Sequence, residues 1–325
     1  MSNNNAWVTW VVVALVGVLL CLLPSFGGTY YTYLFTLVFV NVILASSLRP
    51  SLMCGQLNIG HSAFMSIGAY AAALVGKHWG LPFELSLLLG ALMAAIVGLC
   101  IGYPALRLRG VYFAMVTVSF VEVIRLIAQI WVPLTRGMSG LSGIPKPSLL
   151  GFVLATKPSQ YYLALGLMVI VLLILYRLEY SRLGLTWKSI GMADNLSQSL
   201  GINVPHYKIL SFIIGCFFAG VAGAFYAYFI RFIFPPEFSF LLAVNILVYN
   251  FVGGRGSFVG PIIGATFLTL LTEPFRGSPY ETIFFSITML LTILFLPGGL
   301  ITLPGKLAEL KRGVSRLLPS PSTAT

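Results

Sequence analysis

The chain has 325 residues, of which 58% are apolar and only 8% charged, with a formal net charge of +11. A soluble domain uses roughly 25% charged residues to cover its surface, so a water-facing shell is excluded. The basic residues stand singly between apolar blocks, which excludes the clustered basic face of a nucleic-acid binder.

The apolar blocks recur along almost the whole length, each near the ~20 residues that carry a helix across a ~30 Å hydrocarbon core. Runs such as Trp10 to Leu23 and Tyr161 to Tyr176 are continuous. A membrane barrel would instead alternate apolar and polar residues over ~10-residue segments. The expectation is an all-α polytopic membrane protein with about ten transmembrane helices, occupying residues 1–303, and a short C-terminal tail.

The first block, residues 7–23, reads as a retained helix. Met1 to Ala6 carries no Lys or Arg, and Pro24-Ser25-Phe26 is no small-x-small cleavage site. Spans are then expected at 30–48, 53–76, 83–105, 111–132, 160–178, 207–230, 238–252, 257–272 and 280–297. The third, eighth and ninth are short or rich in Gly and are open to being broken or re-entrant.

The third span is polar for its place, with Gln56, Asn58, His61, Ser62 and Ser66 among small residues. Such groups need partners in lipid, so the segment faces protein or a water-filled route. Asn58, His61, Ser62 and Ser66 either line a translocation path or hydrogen-bond across packed helices. In the fifth span Glu122 and Arg125 stand at i, i+3, on one helix face. An isolated charge in hydrocarbon costs at least roughly 2.5 kcal/mol, so the two are expected to pair, as a structural ion pair or as a substrate anchor.

Residues 133–159 hold the turn-forming Gly137, Gly140, Gly143, Pro145 and Pro147, an outside loop. Residues 179–206 form the longest inside loop before the C-terminus. There Leu185, Ile190, Ala193, Leu196 and Leu200 recur at helical spacings, and Gly201 supplies a stop. An amphipathic helix of this kind needs a partner protein or the membrane surface for its apolar face. Near the ninth span, Gly256 to Gly264-Ala265 repeats the spacing of Gly60 to Gly68-Ala69, a short echo of the internal repeats that transporters use. The tail from 304 to 325 ends in Pro, Ser and Thr and is expected to be disordered.

Chemistry has little to work with. Eight carboxylates and three histidines are scattered, no G-x-S-x-G elbow or Walker-type phosphate loop occurs, and no two cysteines have CxxC spacing. An enzyme is therefore not expected, nor a metal site or a cofactor in this chain. Cys21, Cys54, Cys100 and Cys216 read as small membrane-buried packing residues. If ATP drives transport, its site lies on another chain.

The same stretches resemble a known family. Gly60-His61-Ser62-Ala63-Phe64 with Ile67-Gly68-Ala69-Tyr70 is similar to the signature of the LivM-type permeases of branched-chain amino acid ABC importers. Gly253-Gly254, Gly260-Pro261 and Gly264-Ala265 resemble the second signature, and Leu296-Pro297-Gly298-Gly299-Leu300 its closing motif. Arg182 to Asn203 resembles the cytoplasmic EAA loop, although Gly191, Met192, Leu196 and Ser197 replace residues usual in relatives.

The resemblance implies an inner-membrane permease that works with a second homologous permease, two cytoplasmic ATPase subunits that bind ATP, and a periplasmic binding protein. It implies one cytoplasmic coupling helix seated in an ATPase groove, with Ser189, Asp194, Leu196, Ser199, Leu200 and Gly201 at the contact. The substrates implied are Leu, Ile and Val. Urea, short amides or other amino acids on the same scaffold are the alternative, and a stand-alone secondary transporter is a rival of another kind.

Orientation follows from the excess of Lys and Arg in cytoplasmic loops. An N-terminus inside puts twelve of them in the cytoplasm and six outside, with Arg125 within a span and both termini cytoplasmic. Lys188→Cys and Lys146→Cys, each in a background lacking native Cys, are expected to react with an impermeant thiol reagent from opposite sides of the membrane. Labelling of Lys188→Cys from outside intact cells overturns this topology.

Overall fold

The computed structural model describes residues 28–302 apart from 109, 150, 155, 276, 279–280 and 296–297, together with residues 17 and 19–24. Most of the expected first span, the tail from 304, and Leu296-Pro297 lie outside the described residues.

The main helices are α1 Gly28–Met53, α2 His61–His78, α3 Phe83–Ala105, α4 Val111–Ile130, α5 Lys157–Glu179, α6 Arg182–Met192, α7 Asp194–Ser199, α8 Val204–Ile230, α9 Phe240–Gly253, α10 Gly260–Thr272 and α11 Glu281–Phe295. Among the described residues five are long and apolar enough to cross a membrane, namely α1, α3, α4, α5 and α8. The shorter pair α9 and α10, with 14 and 13 residues, reaches only about 20 Å at 1.5 Å per residue.

α1 and α8 form the centre. α1 is buried along nearly all of its length from Leu34 onward, and α8 is enclosed from Phe218 to Phe229. α2 and α3 pack on α8 through faces of Gly and Ala. A Cβ on Gly68 would stand 2.4 Å from the carbonyl oxygen of Gly220, and one on Gly90 would stand 2.6 Å from that of Gly68. Small residues permit such backbone approach, and van der Waals contact then holds the helices where lipid offers no hydrophobic drive. α3, α4 and α5 leave broad apolar faces exposed, including Leu92, Ile96, Met115, Ile127, Ile170 and Leu173.

One expectation changes. The third span begins at His61, not residue 53, and residues 54–60 are not helical. Gly55 has φ +73°, and the Asn58 Oδ1 accepts from the Gly60 amide at 2.8 Å. A side chain that bonds the backbone two residues on offers an alternative to the helix.

The eighth and ninth spans are short helices, α9 and α10, packed on each other. A Cβ on Gly264 would stand 2.0 Å from the Tyr249 carbonyl oxygen. Gly60 directly precedes α2, whereas Gly256 lies ahead of the 257–259 turn that leads into α10, so the two similar stretches enter their helices at different points.

The loop of residues 133–159 is not wholly irregular. β1 Leu141–Ser142 pairs antiparallel with β4 Phe232–Ile233, and β2 Ser148–Leu149 with β3 Phe152–Val153. These two-residue pairings are the one departure from all-α among the described residues.

Gly68→Val is expected to cost about 3 kcal/mol or more, at or beyond the upper end of ordinary overpacking, because the obstacle is backbone. Gly166→Val on α5, where nothing lies within 4 Å of an added Cβ, is the silent control. Thermal unfolding in detergent distinguishes them, and equal melting temperatures would refute the close approach.

Candidate functional site

At one end of the bundle, an ion pair joins α1 to α5. The Arg49 Nε and Nη2 donate to Glu179 Oε2 and Oε1 at 2.6 and 2.8 Å, and both side chains are 5% exposed. The third donor, Nη1, reaches the Arg255 carbonyl oxygen at 2.9 Å. Lys188 Nζ stands 3.8 Å from Glu179 Oε1. All three guanidinium nitrogens thus have an acceptor, an arrangement that a lysine could not reproduce. Sequence reasoning took Arg49 only as a marker of topology and passed over Glu179. The available signal was an acidic residue ending an apolar span among the basic Arg177 and Arg182.

This pair fixes the loop that follows. A Cβ on Gly184 would stand 1.9 Å from the Glu179 carbonyl oxygen, and one on Gly191 would stand 2.0 Å from that of Met53. α6 therefore lies directly against the ends of α5 and α1. Trp187 and Ile190 are buried beneath it, with the indole N–H donating to the Tyr207 carbonyl oxygen at 3.2 Å. α7 follows, held by an ion pair from Lys208 to Asp194. Gly201 then turns the chain with φ +82°, a conformation that suits Gly after a helix.

The expected single amphipathic helix is two. Ala193 is extended, with φ −158° and ψ 96°, so one periodicity does not run from Leu185 to Leu200. Ile190 points into the bundle, while Leu185, Met192, Leu196 and Leu200 are exposed. Ser189 and Ser199 bond back to the carbonyl oxygens of Thr186 and Asn195, and Ser199 is exposed.

Asn58, His61, Ser62 and Ser66 are all buried within the chain. The His61 Nε2 is 2.8 Å from Ser47 Oγ on α1, and its Nδ1 is 3.4 Å from Asn58 Nδ2. The Ile59 amide donates to Thr117 Oγ1 on α4 at 3.2 Å. The cluster thus ties residues 54–60 to α1 and α4. Ser62 and Ser66 are packed inside α2, apart from these bonds.

Glu122 and Arg125 pair as the spacing predicts, Nε to Oε2 at 2.7 Å, with Gln129 accepting from Arg125 Nη1 at 3.4 Å. Unlike the Arg49 pair, this one remains partly open to the outside of the chain. Midway along α1, a cavity of about 190 Å³ lies among α1, α2, α8, α9 and α10. Asn41, Asn245, Thr269, Glu237 and Glu273 give it a polar and acidic lining, and Asn41 donates to Thr269 Oγ1 at 2.9 Å.

Apolar helices of spanning length, with charges paired between them, define a multi-pass helical membrane protein. Residues 30–295 match the family described as branched-chain amino acid transport system / permease component, and the chain belongs to that family. It is 32% identical to the high-affinity branched-chain amino acid transport system permease protein LivM of Escherichia coli, over 86% of this chain and 72% of that one. LivM of Salmonella typhimurium is 31% identical over the same shares. A probable branched-chain amino acid transport permease protein LivH of Methanocaldococcus jannaschii is 27% identical over 79% of this chain and 86% of its own. The resemblance read from the motifs is thus that of a true relative. A membrane permease is a transport component and not an enzyme class.

Removing one partner of a buried ion pair costs about 3–5 kcal/mol, because the other charge is left uncompensated. Glu179→Ala is therefore expected to destabilise strongly and to free the loop for proteolysis between 179 and 206. Arg49→Leu combined with Glu179→Leu recovers most of the loss. Melting temperature and limited trypsin digestion measure both effects, and a harmless Glu179→Ala would show that the pair carries no structural weight.

Proposed function

We infer that this chain is the permease subunit of an ATP-driven importer in the bacterial inner membrane, carrying leucine, isoleucine and valine delivered by a periplasmic binding protein. In this reading it has about ten spans and cytoplasmic termini, and it assembles with a second homologous permease and two ATPase subunits. ATP belongs to those subunits. The family match supports the substrate class. The observation that carries the coupling mechanism is the loop with exposed Leu185, Met192, Leu196 and Leu200 on a base locked by Arg49 and Glu179.

Apolar side chains on a rigid cytoplasmic support need a protein partner, and an ATPase groove supplies it. Movement of the ATPases then reaches α1 and α5 through α6, because the Gly184 and Gly191 contacts leave no slack. Substrate enters from the opposite end of the bundle, on the side of Glu237 and Glu273. Asn58 and His61 act behind the path in this scheme, by holding residues 54–60 against α1 and α4, while Ser62 and Ser66 pack within the bundle.

Leu196→Asp and Gly201→Val are expected to leave the spans inserted, since both positions lie in the loop. Leu196→Asp places a charge on the docking face. Gly201→Val forces a β-branched residue into the left-handed region, at a cost of roughly 1–2 kcal/mol, and re-aims α7. Each should reduce co-purification of the ATPase subunits, or uncouple hydrolysis from leucine uptake in reconstituted complex. Normal values of both for both variants would mean that this loop is not the coupling element. Leucine uptake by the lone chain under an ion gradient would favour a secondary transporter.

A further inference from the structure

The Glu122–Arg125 pair stands near the middle of α4, with Glu122 roughly 16 Å from the helix start at 1.5 Å per residue. A structural pair at that depth is expected to be enclosed, as Arg49 and Glu179 are. Instead the Arg125 and Glu122 side chains are 25% and 39% exposed on the outside of the chain. Charged groups at membrane depth face the bundle interior or a water-filled cavity, so this flank of α4 does not face lipid.

The helix itself is built in two halves. Phe113, Ala114, Thr117, Val121 and Ala128 are buried against the rest of the chain. Glu122, Arg125 and Gln129 fall within roughly 60° of arc, at 3.6 residues per turn, along one edge of the exposed face. Ser119 stands beside them, exposed, with its hydroxyl donating only to its own helix, at the Met115 carbonyl oxygen. The opposite edge, with Val116 and Ile127, is apolar. The charges thus lie along one edge of a face that is otherwise largely apolar, with Met115 and Leu126 exposed next to them.

We propose that Glu122 and Arg125 form a binding station for the zwitterionic head of an amino acid, on an aqueous path that runs between α4 and a second permease subunit. The proposal rests on the amino-acid importer reading above and names the groups that read the substrate there. An α-amino acid carries a carboxylate and an ammonium on one carbon. The guanidinium of Arg125 matches the first in a two-point hydrogen bond, and the Glu122 carboxylate accepts from the second. In the empty path the two residues satisfy each other at 2.7 Å. Substrate exchanges that bond for two intermolecular ones, with no net charge moved into the membrane. Gln129 holds Arg125 from the other side at 3.4 Å and keeps it aimed while the pair opens.

The test uses the complete complex of this chain, the second permease, the two ATPases and the binding protein in proteoliposomes, with leucine as the probe. Failure of the wild-type complex to carry leucine is a failure of the importer reading and is seen before any variant is made. With wild-type uptake in hand, Glu122→Gln and Arg125→Gln are expected to co-purify with the other subunits in normal amounts and to lose uptake at least tenfold. The double variant Glu122→Leu with Arg125→Leu is expected to lose uptake as well, whereas a merely structural pair is replaced by apolar residues without loss. Ser119→Cys, in a background lacking native Cys, is expected to react with a membrane-impermeant thiol reagent in the assembled complex. Normal uptake by the double Leu variant, normal uptake by either single variant, failure of the single variants to assemble, or an inert Ser119→Cys in both resting and ATP-bound complex would each overturn the station.

Discussion

The arrangement of this protein rests on backbone meeting backbone where α2, α3 and α8 cross. Gly68 faces the Gly220 carbonyl at a distance no side chain could share, and Gly90 faces the carbonyl of Gly68. In hydrocarbon the helices gain nothing by hiding apolar surface from one another. Close contact between small residues is therefore the main force that selects partners and angles. Once those three helices are set, the foot of α2 is placed beneath α1 and α8. His61 then meets Ser47, and a Cβ on Gly215 would stand 3.2 Å from the His61 ring.

The few charges are arranged with equal economy, and their surroundings sort them by role. Arg49 and Glu179 are buried and paired, and Arg49 also donates to the Arg255 carbonyl oxygen, which suits a joint between spans and loop. Lys208 and Asp194 brace α7 at the loop surface. Glu122 and Arg125 have the same chemistry as the first pair but stand open, on a helix whose other edge is apolar. The contrast between a sealed pair and an open one, in a single chain, gives the open one a meaning that its spacing alone does not carry.

Much of the candidate site could be read along the chain. The polar character of residues 56–66, the i, i+3 pair in α4 and the stop at Gly201 are local properties, decided by side-chain chemistry and backbone freedom. Two kinds of feature escaped. One was the loss of helix at residues 54–60, where a short side chain at Asn58 competes for the backbone inside an otherwise apolar run. The other was every contact between distant segments. Arg49 and Glu179 are 130 residues apart, and nothing in the neighbourhood of either shows that they meet.

The sequence by itself determined that this is a membrane protein of many helices, because 58% apolar residues with 8% charged cannot dress a surface for water. It also determined the kinship of the chain, since Gly-rich signatures in order reflect close backbone approaches such as those at Gly68 and Gly264. Tertiary structure alone decided which polar groups are sealed and which are open. Burial of a side chain depends on what the opposite helix places against it, and that partner is chosen by packing across the whole bundle. The exposed Leu196 and the buried Ile190 belong to one periodic run in the sequence, yet the extended backbone at Ala193 turns them to opposite sides.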